Sequence, residues 1–300
     1  MKAFVLKISI FAALVFVTDQ LFGVVFKYLN DINETEKSTN FIISKVNQDV
    51  LIFGSSRAYR HYDPRIITDS LGLSCFNCGQ SGQGFIHNFV LLSAITNRHV
   101  PKLIIYDVYP PFDFYEGENI RYIKDFRPYN NNELIKKTLL IEDSSEKYKL
   151  YSKMYCYNDI CNKIIAGCFP FLRKEKTING YVPTYQDLNT ALLKRNYDKT
   201  FKNDSIKLYF AKRFIDQANK SKIVLVMSPS WYGCNKHYSE QLSKFAQENS
   251  VPFIDFTSDS KYFHNNELFI DGIHLNAKGS DCFTRDLMYK LKTVVELNMN

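Results

Sequence analysis

Hydrophobic and polar positions divide the chain into three stretches. From Ile8 to Phe26 the residues are apolar apart from Ser9 and the break at Thr18-Asp19-Gln20. These 19 residues come close to the ~20 that a helix needs to cross a bilayer. Residues 30–46 are polar and read as a short stalk. Beyond them, apolar runs of strand length alternate with helix-length stretches. The strand candidates are 49–53, 73–77, 102–108, 222–227 and 252–256, rich in Val, Ile, Leu and Phe with little alternation, as strands buried on both faces require. Helices are predicted over 64–71, 85–97, 204–219, 236–249 and 277–297, the last with Asn276 as its N-cap. This alternation predicts an α/β domain, a parallel sheet with helices on both faces and a ligand crevice at the carboxyl ends of the strands. Residues 112–203 break the rhythm with asparagines, cysteines and many aromatics, and read as an insertion or cap.

Composition narrows the class. A chain of 300 residues, 45% hydrophobic and 23% charged, is globular and suits one domain with an insertion. The mildly negative mean hydropathy excludes a multi-pass membrane protein. The net charge of +7 comes from scattered Lys and Arg without a basic stripe or reading motif, so no nucleic-acid partner is expected. Seven cysteines, an odd number in a long chain, do not suggest a disulfide scaffold. Cys75-x-x-Cys78 lacks two of the four ligands of a structural zinc, so neither metal nor cofactor is expected. Cys156, Cys161 and Cys168 suit either pairing or packing. Lys2 and Lys7 ahead of the apolar run place the N-terminus in the cytoplasm and the main domain outside it. In that arrangement Asp19 lies toward the far interface. A cleaved signal peptide and a buried N-terminal helix are the alternatives.

Three segments at predicted strand ends carry chemistry. Gly54-Ser55-Ser56-Arg57 follows the first strand and presents a serine at the crevice, although an ordinary Gly-Ser turn has the same composition. Asn77-Cys78-Gly79-Gln80-Ser81-Gly82-Gln83-Gly84 follows the second strand and opens a helix. Its glycines let backbone N–H groups approach an oxyanion or a phosphate. The spacing is not the dinucleotide fingerprint, although Asp107 at the next strand end could imitate a ribose-binding acid. Asp271-Gly272-Ile273-His274-Leu275-Asn276 precedes the last helix. An Asp three residues before a His can accept the imidazole N–H, set its tautomer and stabilise the imidazolium. His61, His87, His99, His237 and His264 have no such neighbour and are expected in surface or packing roles.

In this order, the segments resemble the SGNH (GDSL-like) serine hydrolases, here as a membrane-anchored exported member. The resemblance covers about residues 47–111 and 204–297. It implies a flavodoxin-like three-layer α/β/α fold with a five-stranded parallel sheet. It makes Ser56 rather than Ser55 the nucleophile, Asp271 and His274 its partners, and Ser56 with Gly82 the oxyanion donors. The family's Gly-x-Asn-Asp block is missing: Tyr106-Asp107-Val108-Tyr109-Pro110 stands there without an Asn donor. The implied organisation is a membrane helix at 1–29, a stalk at 30–46 and a hydrolase-like domain at 47–300, interrupted at about 112–203.

The resemblance implies a membrane-anchored extracytoplasmic esterase or O-acyltransferase. Its expected substrates are acyl, especially acetyl, esters of cell-surface polysaccharide or a small ester, and a membrane acyltransferase is an expected partner. The alternative is an inactive protein of the same fold that binds glycans or assists assembly. Tyr109, Phe112, Phe114, Tyr115, Tyr122, Phe126 and Tyr129 crowd the start of the insertion, either as a glycan platform or as its local core.

Overall fold

The computed structural model describes residues 1–117, 119–172, 176–193 and 202–294. They form two compact units, one from residues 1–41 with 118–174 and the other from 42–117 with 175–300.

The larger unit is built on five parallel strands, β1 (Val50–Gly54), β2 (Cys75–Asn77), β3 (Leu103–Asp107), β4 (Lys222–Met227) and β5 (Phe253–Asp255), in the order β2-β1-β3-β4-β5. Four of the five start and end within a residue of the predicted runs, whereas β2 begins two residues late. Every residue of β1 and β3 is buried. Such strands need cover on both faces, and helices supply it. Phe85–Thr96 and Ser205–Gln217 pack on one another, while Ala277–Val294 packs on Ser56–His61 and Pro64–Leu71. Pro64–Leu71 is punctuated as its sequence suggests: the Asp63 side chain accepts from Arg65 N–H, Pro64 opens the helix and Gly72 closes it with φ 66°. The predicted final helix reaches 297, but residues 295–297 lie outside the described residues.

The chain passes from β1 to β2 on one side, then crosses to β3 on the other. That reversal opens a crevice above the carboxyl ends of β1 and β3. Gly54 and Asp107 are register partners at its floor. The short helix Ser56–His61, which the hydrophobic pattern does not predict, starts two residues beyond β1's last glycine. The insertion leaves and returns on adjacent strands of chain: Asp204 N–H donates to Phe114 O at 2.8 Å and Glu116 N–H to Lys202 O at 3.0 Å. Residues 176–193 belong to the larger unit and bind its backbone, with Asn77 N–H on Asn179 O and Ala277 N–H on Thr184 O.

In the smaller unit, Lys2–Asp31 is a single 30-residue helix, long and apolar enough to cross a membrane. Its second half packs on Lys153–Asn158 and Cys161–Cys168. Buried Arg127 holds the same unit together, donating to both oxygens of buried Glu146 and to Asp159. Tyr122 and Phe126 are core residues here, and Phe114 and Tyr115 are buried in the larger unit, so much of the aromatic cluster fills interiors. None of the seven cysteines is joined to another in a disulfide.

Candidate active site

Gly54 ends β1 with φ 134°, a conformation that L side chains rarely adopt, and a Cβ there would meet Asp107 O at 2.5 Å. The chain therefore turns sharply into Ser56–His61. Ser55 is fully buried and caps this helix, its Oγ accepting from Arg57 N–H. Ser56 takes the first helical position, where its backbone N–H has no intrahelical partner.

Ser56 Oγ lies 2.8 Å from His274 Nε2, and His274 Nδ1 lies 2.8 Å from Asp271 Oδ2. The other oxygen of Asp271 accepts the N–H groups of Ile273 at 2.8 Å and His274 at 2.9 Å. The carboxylate thus folds its own turn while orienting the ring. Burial opposes its ionisation, but the bonds from the His274 ring and these two N–H groups outweigh it and hold the carboxyl below its usual range. An ionised Asp271 keeps the proton on Nδ1, which leaves Nε2 to accept from the Ser56 hydroxyl. Around this turn Ile270 N–H donates to His274 O at 2.9 Å, and Asn276 Oδ1 caps the final helix by accepting from Gly279 N–H at 2.9 Å. The structure therefore brings Ser56, Asp271 and His274 together. Gly82 sits in the turn after β2 with φ 67°. That loop is tied to the nucleophile strand by Gln80 N–H on Gly54 O at 3.1 Å.

Asn77 does not take the missing donor's part. The Asn77 amide donates to Ala58 O and Tyr62 O, and its Oδ1 accepts from Gly79 N–H, so the whole side chain braces the loop. The Tyr109 N–H goes to buried Asp113 at 2.7 Å. Burial pushes the Asp113 carboxyl up to about 7 despite donors from Tyr106 and Tyr109. Asp113 also accepts from Phe85 N–H, which joins the Tyr109 turn to the helix that the glycine loop opens.

A buried polar layer lies beneath the nucleophile, and sequence patterning did not single it out as a unit. Arg57, next to Ser56, donates through Nε to Ser228 Oγ at 3.1 Å and through Nη2 to Ser228 O. Its Nε is 3.7 Å from Asp107 Oδ2, and its guanidinium lies over the Tyr109 ring. Asp107 accepts from Tyr62 OH at 2.8 Å and Ser228 N–H at 3.1 Å. Fully buried, Asp107 braces the floor and is not presented to a ribose, which removes the nucleotide alternative's acid. His61, expected in a surface or packing role, is fully buried between Ser228 Oγ and Leu275 N–H. Ser228 stands just past β4, so the strand-end rule that located Ser56 applies to it as well.

The aromatic rim beside the triad comes from the turn after β4. Trp231 N–H donates to Gly272 O at 3.1 Å, its indole N–H donates to Asn266 at 2.9 Å, and its ring lies on His264. A Cβ on Gly272 would meet the Tyr232 ring at 2.2 Å, so Tyr232 covers the segment between Asp271 and His274. Among the described residues, no group of three His, Cys, Asp or Glu is placed to hold a metal ion.

No family model matches the sequence, and no curated protein matches it. Among solved structures, similarity extends to a protein from Bacteroides fragilis assigned as an acylhydrolase, at 12% identity and TM-score 0.42, over 87% of this chain and 98% of that one. It also extends to a family two carbohydrate esterase from Clostridium thermocellum, solved with cellohexaose, at 10% identity and TM-score 0.42. That match covers 83% of this chain and 65% of the esterase.

Proposed function

We propose that the protein is a serine esterase or O-acyltransferase anchored in a membrane by Lys2–Asp31, with its larger unit extracytoplasmic. The observation that carries the chemistry is the pair of 2.8 Å contacts linking Ser56, His274 and Asp271. As the Ser56 oxygen attacks an ester carbonyl, its proton passes to His274 Nε2. Asp271 stabilises the imidazolium, and the N–H groups of Ser56 and Gly82 receive the oxyanion. Collapse breaks the bond to the leaving alcohol, which takes the proton from His274 and leaves an acyl ester on Ser56. Water or an acceptor hydroxyl then attacks with His274 as base, releasing an acid or a new ester and restoring Ser56.

Acyl esters on a cell-surface polysaccharide are the proposed substrates. Trp231 and Tyr232, which border the His274 turn, support this reading by offering apolar ring faces with polar edges. A membrane acyltransferase is a fitting partner for the transferase form of the reaction. A second reading, a binding or assembly protein without turnover, draws on the commitment of Asn77 and the Tyr109 N–H to structural bonds.

Labelling of the purified protein with a fluorophosphonate probe tests the proposal. The wild type is expected to label, whereas Ser56→Ala and His274→Ala are not. A wild type that folds but does not label would favour the second reading.

A further inference from the structure

Lys2–Asp31 is exposed all round in its first half, and in its second half it is covered along one side and open along the other. Asp19, Gly23, Phe26 and Asn30, at spacings of four and three, lie along the covered side, with Gln20, Phe22 and Leu29 half-covered beside them. The opposite side, with Leu21, Val24 (68% exposed), Val25 and Tyr28, is open and apolar. Between Lys7 and Lys27, exposed large apolar residues run from Ile8 to Val25, a rise of about 26 Å, most of the ~30 Å hydrocarbon layer.

Asp19 lies within that length, six residues short of Val25. Its Oδ1 accepts from Ser152 Oγ at 2.7 Å and Met154 N–H at 2.9 Å, and its Oδ2 from Lys153 N–H at 2.8 Å. The start of Lys153–Asn158 is therefore fixed about 9 Å inside the apolar span, the depth at which interfacial helices lie. At this level the structure exposes Tyr151 (80%) and Met154. Lys153 runs its aliphatic stem along Gly23, one turn nearer the exit, as a lysine does when it carries its charge to the headgroups. Farther out, Cys168 Sγ donates to Leu29 O at 3.2 Å, and Phe171 (82%) is exposed just beyond it.

We propose that residues 146–172 are a membrane-seated element, with Tyr151 and Met154 in the outer acyl region and Phe171 at the headgroups. The inference rests on the anchor reading of Lys2–Asp31 and extends it from one helix to a surface of the insertion. The occupant is the lipid bilayer, because this surface continues the helix's own apolar exposure at a depth that Asp19 sets.

The test places the full chain in phosphatidylcholine vesicles whose acyl chains carry bromine near the headgroup or near the chain end. In a Trp231→Phe background, single tryptophans are introduced as Tyr151→Trp, Met154→Trp, Phe171→Trp and Leu14→Trp. Tyr151→Trp and Met154→Trp are expected to lose most of their emission to shallow bromine, and Leu14→Trp to deep bromine. Phe171→Trp should respond weakly to both. Quenching of Leu14→Trp without quenching at 151 and 154 would overturn the seated element and leave the anchor standing. Unquenched Leu14→Trp would overturn both. A blue-shifted but unquenched Tyr151→Trp in a protein that runs as a dimer would assign the surface to a second copy and overturn the proposal.

Discussion

The ring Nε2 of His61 accepts the backbone N–H of Leu275 at 3.0 Å, which ties the helix of the candidate nucleophile to the turn of the candidate base. The proton of His61 is thereby confined to Nδ1, where it is donated to Ser228 Oγ at 2.9 Å. Burial first, then the charge of Arg57, holds this imidazole well below its ordinary 6.5, so it stays neutral in the fold. An unfolded chain protonates it near ~6.5. Below that pH the unfolded state binds more protons, and stability present at neutral pH is lost on acidification. The thermal midpoint of the wild type should therefore fall faster between about pH 7 and pH 5 than that of His61→Gln, which has no group to titrate there. Equal slopes would count against this account. His61→Ala should cost ~1–3 kcal/mol at neutral pH by leaving the Leu275 N–H buried and unmet.

Removal of either side chain of the Ser56–His274 pair is expected to lower ester turnover by ~10³-fold or more. Asp271→Asn should lower it by about 10²–10⁴-fold, because an amide cannot hold the His274 proton on Nδ1. Its fold should survive, since the Asn oxygen can still accept the Ile273 and His274 N–H groups. Steady-state kinetics beside circular dichroism would check both halves. An Asp271→Asn protein that is folded and fully active would remove Asp271 from the mechanism.

Arg57→Leu should destabilise the larger unit by about 3–5 kcal/mol, because it strands Asp107 without a counter-charge inside the fold. Arg57→Lys should recover only part of this, since one ammonium cannot reproduce the fork that reaches Ser228 through Nε and Nη2. The double change Arg57→Leu with Asp107→Leu should fall between them, because Tyr62 OH and Ser228 N–H lose their acceptor. Denaturant titrations can be followed through Trp231, the single tryptophan.

Gly272→Ala should displace Tyr232 without unfolding the turn, because the clash is with a side-chain ring and not with backbone. If that ring contacts the sugar, KM for an acetylated oligosaccharide should rise while fluorophosphonate labelling of Ser56 persists. Tyr232→Ala should match it. A rise in KM for a small acetyl ester as well would argue that the change acts on the triad itself.

Exposed Cys234 lies in the larger unit and reports on topology without any added residue. An impermeant maleimide should label it on intact cells stripped of any outer layer. Labelling only after lysis would place the larger unit in the cytoplasm.

The elements of the larger unit were legible because their signals are local. Runs such as Leu51-Ile52-Phe53 and Leu103-Ile104-Ile105 announce strands buried on both faces, and Asp63-Pro64 with Gly72 brackets a helix within ten residues. Ser56–His61 escaped because a helix of six residues, under two turns, is too short to show a period. Ser56 was legible as a motif at a strand end, and Asp271 with His274 as a turn ahead of the last helix, although 218 positions separate Ser56 from His274.

The sequence by itself determined the strand and helix rhythm, the apolar N-terminal span and the Asp271–His274 turn, since each depends on neighbours a few residues apart. Only the tertiary structure decided which polar groups would be sealed together. Arg57 meets Ser228 across 171 positions and His61 meets Leu275 across 214, pairings that no local pattern encodes. They arise because polar groups that the fold buries are stabilised by finding partners wherever the chain brings them. Asp19 shows the same division: its place in an apolar run was visible at once, and the helix it caps, 133 positions on, became visible only when the chain was folded.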